Sequence, residues 1–130
     1  MNRHGQHRRD VSELHEARLR DEHARAVRLI ARLSGDFDAM VEASRAVATD
    51  DEHDPEGATI AYERAQIDAV LGMTRARLTE LDHALKRILD GTYSNCQACG
   101  RPIGEERLEA QPAATSCVTC ASPRTRPLGR

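Results

Sequence analysis

Two apolar stripes of equal length constrain this chain more than any other feature. Leu19, His23, Ala26, Ile30, Leu33, Phe37, Met40, Ser44 and Val47 follow one another at alternating gaps of four and three. Ile60, Arg64, Ile67, Leu71, Thr74, Leu78, Leu81, Leu85 and Ile88 repeat the pattern. In each stripe seven of nine positions are apolar, counting Ala. A mean gap of about 3.5 is the seam of a coiled coil. Both stripes span 28 residues, from 19 to 47 and from 60 to 88. Between them lies "TDDEHDP", where Asp54 reads as a helix N-cap and Pro55 as the first helical residue, a place where its missing N–H costs nothing. Folding the chain back at 49–54 sets Val47 against Ile60, Leu19 against Ile88, and the polar Ser44 opposite Arg64. The spacing therefore predicts an antiparallel helical hairpin with a seam of roughly 42 Å. A small bundle and a parallel dimer of long helices are the alternatives. The Asp-Pro break and the matched lengths disfavour both.

Capping chemistry sets the boundaries. Asp10-x-x-Glu13 reads as a capping box, which makes residues 1–9 a flexible N-terminal tail and 10–90 the hairpin, with its tip at about 49–58. Gly91 is suited to the C′ position after the second helix. Val11, Leu14 and Val27 fall off the stripe and are expected to pack against the segment at the open end. Gly72, in mid-helix, costs about 1 kcal/mol relative to Ala, and the sequence offers no reason for it.

Composition agrees with an elongated helical chain. Aromatics are 2%, with one Phe, two Tyr and no Trp, too few for the core of an ordinary globule of 130 residues. Charged residues are 31%, as a surface-rich helical protein requires. The net charge of −2 gives no global basic field of the kind that nucleic-acid binders carry. No apolar run approaches the 18 or so residues of a membrane span, and "MNRHGQHRRD" has no apolar stretch after its charges. The expected location is the cytoplasm, a reducing compartment in which paired cysteines more often hold metal than form disulfides.

All four cysteines stand in "CQACGRPIGEERLEAQPAATSCVTC", residues 96–120. Cys96-x2-Cys99, seventeen residues, then Cys117-x2-Cys120 is the spacing of a four-cysteine zinc site. The two-residue gap lets one tight turn aim two thiolates at one ion, and Gly100 permits the positive φ that such a turn needs. Four protein ligands leave no open position, so one Zn²⁺ bound here is structural. Four thiolates leave a formal −2 on the site, which Arg101 and Arg107 are placed to offset. A segment this small needs the metal in order to fold. Disulfides, a thioredoxin-like redox pair and an iron–sulfur cluster are the competing uses of the cysteines. The missing secretion signal disfavours the first, and the missing βαβ pattern the second. The finger is bounded at 91–121, and residues 122–130, with Pro123 and Pro127, are read as a flexible C-terminal tail.

The fold class is thus all-α with a small metal site: a long antiparallel two-helix coiled-coil hairpin followed by a four-cysteine zinc finger. Asp50, Asp51, Glu52, Asp54 and Glu56 cluster at the hairpin's turn with no Lys or Arg among them. A charge run is ordinarily a solvated face. These acids, however, would stand several Debye lengths from any charge at the base. Such a tip suits a positively charged channel or a metal-bound centre. No nucleophile elbow, phosphate loop or open metal site argues for an enzyme. Two other readings are a zinc-finger nucleic-acid-binding protein and a non-catalytic coiled-coil adaptor that self-associates. The first would use Arg101, Arg107, Arg124, Arg126 and Arg130. It is opposed by Glu105, Glu106 and Glu109, and by the lack of any aromatic but Tyr93 to stack a base.

The stretch "GTYSNCQACGRPIGEERLEAQPAATSCVTCA" resembles the signature of the DksA/TraR zinc-finger family. The resemblance rests on Gly91, Tyr93, Gly100, Ile103, Arg107-Leu108-Glu109-Ala110, Pro112 and the interval to the last cysteine pair. With the hairpin it covers most of residues 10–121. It implies a protein that binds bacterial RNA polymerase, inserts the coiled coil through the secondary channel, and modulates initiation without sequence-specific DNA binding. The family's tip reads roughly Asp-Pro-x-Asp-x-Ala. Here "DPEGATIA" matches at Asp54 and Pro55, and Glu56-x-Ala58 resembles the acid-x-Ala element with one residue fewer before it. The resemblance therefore assigns Asp54, Glu56, Ala58 and, less directly, Asp51 to the tip. The chain is expected to be a monomer, and the lack of a long apolar run predicts no membrane contact.

Overall fold

The computed structural model describes residues 3–47 and 55–122, and within them the side chains of 12–45 and 57–122. Two long helices dominate: α1, Arg3–Val47, and α2, Pro55–Asp90. Two short ones follow, α3 at Glu105–Ala110 and α4 at Val118–Ala121. Among the described residues there is no strand, only an antiparallel bridge between Asn95 and Pro102. α1 and α2 pack together as the stripes require. Every described stripe position, from Leu19 to Ser44 and from Ile60 to Ile88, is buried or half-buried. α2 begins at Pro55, as the proline rule predicts, and ends at Asp90 with Gly91 at φ 78.

The first helix starts earlier than its capping box suggests. α1 begins at Arg3, seven residues before Asp10. Residues 3–9 contain one glycine and no proline, so a helix nucleated by the stripe propagates into them at about one hydrogen bond per residue added.

The chain divides into two compact units, Ala24–Leu78 and Met1–His23 with Thr79–Arg130. In the first, Ala26 and Leu71 are buried. Two polar stripe residues find local solutions. Thr74 Oγ1 donates to the Val70 carbonyl (2.7 Å), so its hydroxyl is satisfied within the helix. Arg64 lays its guanidinium over the Phe37 ring, 5.4 Å from the centroid. Phe37 lies two turns along α1 from the Ser44 that the equal-length register sets opposite Arg64, a distance two long side chains can bridge.

The second unit holds the root of the two helices and the finger. Leu19, Leu81 and Ala84 are fully buried, and Tyr93, Ile103, Leu108, Ala113 and Ala114 extend this core into the finger. His23 Nε2 meets Asp82 at 2.7 Å, two residues from the position the register assigns it. Leu14, by contrast, is 68% exposed, as is Val27, in the other unit, at 44%. The open-end packing expected of them is not observed. His15 and Arg18, on the adjacent side of α1, make it instead. The side chain of Val11 and the Val47–Ile60 pairing lie outside the described residues.

Candidate metal centre

The first cysteine pair sits in a turn held by its own backbone. Cys96 N–H donates to the Arg101 carbonyl (2.8 Å), Gly100 N–H to the Cys96 carbonyl (2.9 Å), and Ile103 N–H to the Ser94 carbonyl (2.8 Å). Gly100 has φ 75, a conformation costly to any residue with a Cβ. The second pair is built on a helix start: Cys117 is the N-cap of α4, and Cys120 lies one turn on. Gln97 N–H donates to the Thr115 carbonyl (2.8 Å), which ties the two turns together.

This backbone brings the four thiols to one point. The sulfurs of Cys96, Cys99, Cys117 and Cys120 all lie within 4.8 Å of one another, and the Cys99–Cys117 pair is 3.8 Å apart. A tetrahedron with Zn–S bonds of 2.3 Å has an edge of about 3.8 Å. The donor set is therefore the right size and chemistry for a single Zn²⁺, with no coordination position left over. The backbone already favours thiolate at one corner. N–H groups directed at Cys96, that of Cys117 first, bring its thiol down to about 6. The Cys120 thiol is pushed up to about 12, chiefly by its contact with Cys117. A bound cation would deprotonate it outright.

Around the thiols, polar side chains close the loops. Arg107 Nε donates to the Ser116 carbonyl (2.7 Å), next to Cys117, so this arginine serves the site through the backbone. Arg101 is exposed and receives the Cys96 N–H on its carbonyl. Tyr93 donates its hydroxyl to the Pro112 carbonyl (2.6 Å), and burial pushes that phenol up to about 12.

Three residues that sequence reasoning passed over join the finger to the long helices. Arg87, 5% exposed, donates Nη1 to the Ala114 carbonyl (3.2 Å) and lies over Tyr93. Burial lowers its pKa. Arg18 Nη1 donates to the Glu109 carbonyl (2.8 Å). His15, 6% exposed, packs its ring 5.9 Å from that of Tyr93. A signal existed: Ala84 and Arg87 lie three apart beside Leu81, Leu85 and Ile88, which widens the apolar face at the end of α2 beyond a two-helix seam.

The expected tip is less fully visible. Asp51 and Asp54 lie outside the described residues, as does the side chain of Glu56; Ala58 is exposed near the start of α2.

Comparison with known proteins gives the site a context. Residues 91–126 match the prokaryotic dksA/traR C4-type zinc finger. An uncharacterized protein of Bacillus subtilis, YteA, is 40% identical over 72 residues, 55% of this chain and 30% of YteA. The RNA polymerase-binding transcription factor DksA of Caulobacter vibrioides is 48% identical over 44 residues, 34% of this chain and 31% of that protein. These matches thus span about a third of each relative's length. The structure of transcription factor DksA2 from Pseudomonas aeruginosa aligns over 80% of both chains at 25% identity, with a TM-score of 0.50.

Proposed function

We propose, from the premise that this chain belongs to the DksA/TraR zinc-finger family, that it is a non-catalytic transcription regulator that binds bacterial RNA polymerase. In this reading residues 10–90 are the inserting hairpin, 49–58 its tip and 91–121 the finger. The hairpin enters the secondary channel and presents Asp51, Asp54, Glu56 and Ala58 near the active-site metal. The structural Zn²⁺ on Cys96, Cys99, Cys117 and Cys120 supplies shape rather than chemistry, since four thiolates leave it no open position.

One observation carries the proposal: a finger of this family follows two long packed helices whose connection is a run of acids. A carboxylate cluster with no Lys or Arg among its members carries a negative field, and a cation-lined channel rewards it. The net charge of −2 fits a regulator that acts on the enzyme and does not read DNA sequence. Among the described residues no helix is long and apolar enough to cross a membrane. The protein acts as a monomer in the cytoplasm, where the polymerase is.

The test is co-elution of the zinc-loaded chain with core polymerase, followed by transcription in vitro. The chain is expected to be retained at micromolar concentration and to alter initiation. The Asp54→Asn/Glu56→Gln/Ala58→Thr variant should still be retained but lose that effect. Absence of retention would remove the proposal.

A further inference from the structure

The side of α2 facing away from the seam carries an apolar strip that nothing in its own unit covers. At about 100° per residue, Tyr62 and Met73 fall roughly half a turn from the seam residue Leu71. They are 65% and 71% exposed, and Val70 beside them is 40% exposed. Ala65, Ala69 and Ala76 complete the strip, all exposed, with Gln66 its one polar member. The outward face of α1 in the same unit carries Arg28, Asp38 and Glu42, the solvated surface that a two-helix coil normally shows. α2 shows instead a second apolar face, opposite the first.

We infer that this strip is where a second copy of the chain docks, α2 against α2 in antiparallel register about a two-fold axis at Ala69. The strip is complementary to itself. With Ala69 on the axis, Tyr62 meets Ala76 of the other copy and Met73 meets Ala65, so each bulky side chain faces a small one, and symmetry repeats every contact. The charges agree. Glu63 and Arg77 lie on the same edge of α2, and the axis brings Glu63 of one copy within two residues of the level of Arg77 of the other. The same axis brings the two exposed Asp68 side chains to one edge, two residues apart in level, a single like-charge pair against the two Glu63–Arg77 pairs.

The strip is small. Burying the strip on both copies removes on the order of 1,000 Å² in total, the lower edge of specific interfaces. The dimer is therefore weak and reversible, and the chain is a monomer when dilute. This inference is independent of the polymerase reading and stands or falls without it.

Sedimentation velocity on the zinc-loaded full chain tests it. The mass should rise from one copy to two over about 10–100 µM, the range of a weak, transient association. Met73→Glu and Ala65→Lys, both at exposed positions, should each weaken association at least ~10-fold with unchanged helicity. The double variant Met73→Glu/Ala65→Lys should restore it to within about threefold, because the antiparallel register pairs the two new charges twice. A chain that stays monomeric throughout that range overturns the inference. So does association that Met73→Glu leaves untouched, or a double variant as weak as the singles.

Discussion

Arg87 lies with its guanidinium carbon 5.8 Å from the centroid of the Tyr93 ring, and both side chains are about 5% exposed. Their polar ends grip the same short segment: Arg87 donates to the Ala114 carbonyl and Tyr93 to that of Pro112. The last turn of α2 and the turn that follows it thus hold the loop that leads to Cys117 by one side-chain hydrogen bond each, roofed by a cation–π contact. His15 packs on the same ring from α1.

Arg87 should therefore be the most sensitive residue in this joint. Its Nε and Nη2 atoms have no hydrogen-bond partner, so part of its buried charge is uncompensated. Truncation removes the bond to Ala114 and leaves a cavity over Tyr93, while Met keeps the stem and drops the charge. Arg87→Ala is expected to destabilise by about 2–4 kcal/mol and Arg87→Met by about half as much or less. Urea unfolding of the zinc-loaded chain separates them. Equal losses would assign the stabilisation to the charge rather than to the packed stem.

Metal removal should be felt locally. α3 and α4 are 6 and 4 residues long, against 45 and 36 for α1 and α2, so chelation should change the far-UV signal little. Tyr93, one of only two tyrosines, should lose its buried environment and with it its fluorescence signature. Zinc content should be one per chain, and Cys99→Ser or Cys120→Ser should lower affinity by 10-fold or more. Substitution by Co²⁺ offers a direct reading, since a tetrathiolate has its own visible spectrum. A spectrum of mixed sulfur and nitrogen ligands would contradict the four-cysteine assignment.

The seam and the gathering of the four cysteines were legible because each depends on spacing alone. Leu71 and Leu81 are buried because their period matches a partner helix, and Cys96-x2-Cys99 needs only a turn. Arg87, His15 and Arg18 were not legible, because a charged or titratable residue on a helix ordinarily faces water. What buries Arg87 and His15, and engages the exposed Arg18, is the finger folding back on the root, a contact distant in sequence: Arg18 reaches Glu109, 91 residues on. Leu14 misled for the same reason. It is apolar and close to His15, yet the finger takes the face of α1 that His15 and Arg18 occupy. The start of α1 was set too late because Asp10 can cap a helix but does not have to end one.

Glycine substitutions should change sign with backbone conformation. Gly72 and Gly35 lie inside helices, and a Cβ at either would meet nothing within 4 Å. Gly72→Ala and Gly35→Ala are each expected to raise stability by about 0.4–1 kcal/mol, through helix propensity and a less disordered unfolded chain. Gly91 also has open space, but its φ is 78, so Gly91→Ala should cost about 1 kcal/mol or more. Thermal melts of the three single variants suffice. A gain at Gly91 would mean that the αL cap does not hold the end of α2.

Stability should fall on mild acidification, and His15 should account for part of the fall. Burial holds its pKa below 6.5, with Arg18 pushing the same way and Glu109 and Glu105 opposing. Its Nδ1 is buried without a partner, so an added proton there has nowhere to bond. In the unfolded chain the imidazole takes up a proton near pH 6.5, while in the folded chain it resists until lower pH. Between those values the unfolded state binds more protons, so the stability that His15 confers is complete above about pH 6.5 and is lost as pH falls through the folded-state value. His15→Phe keeps a ring against Tyr93 and removes the titration. Its unfolding free energy should therefore vary less between pH 7.5 and pH 5.5 than that of the parent, with Co²⁺ absorbance confirming that the metal stays bound across the range. Parallel pH profiles for the two chains would show that His15 is not held neutral in the folded state.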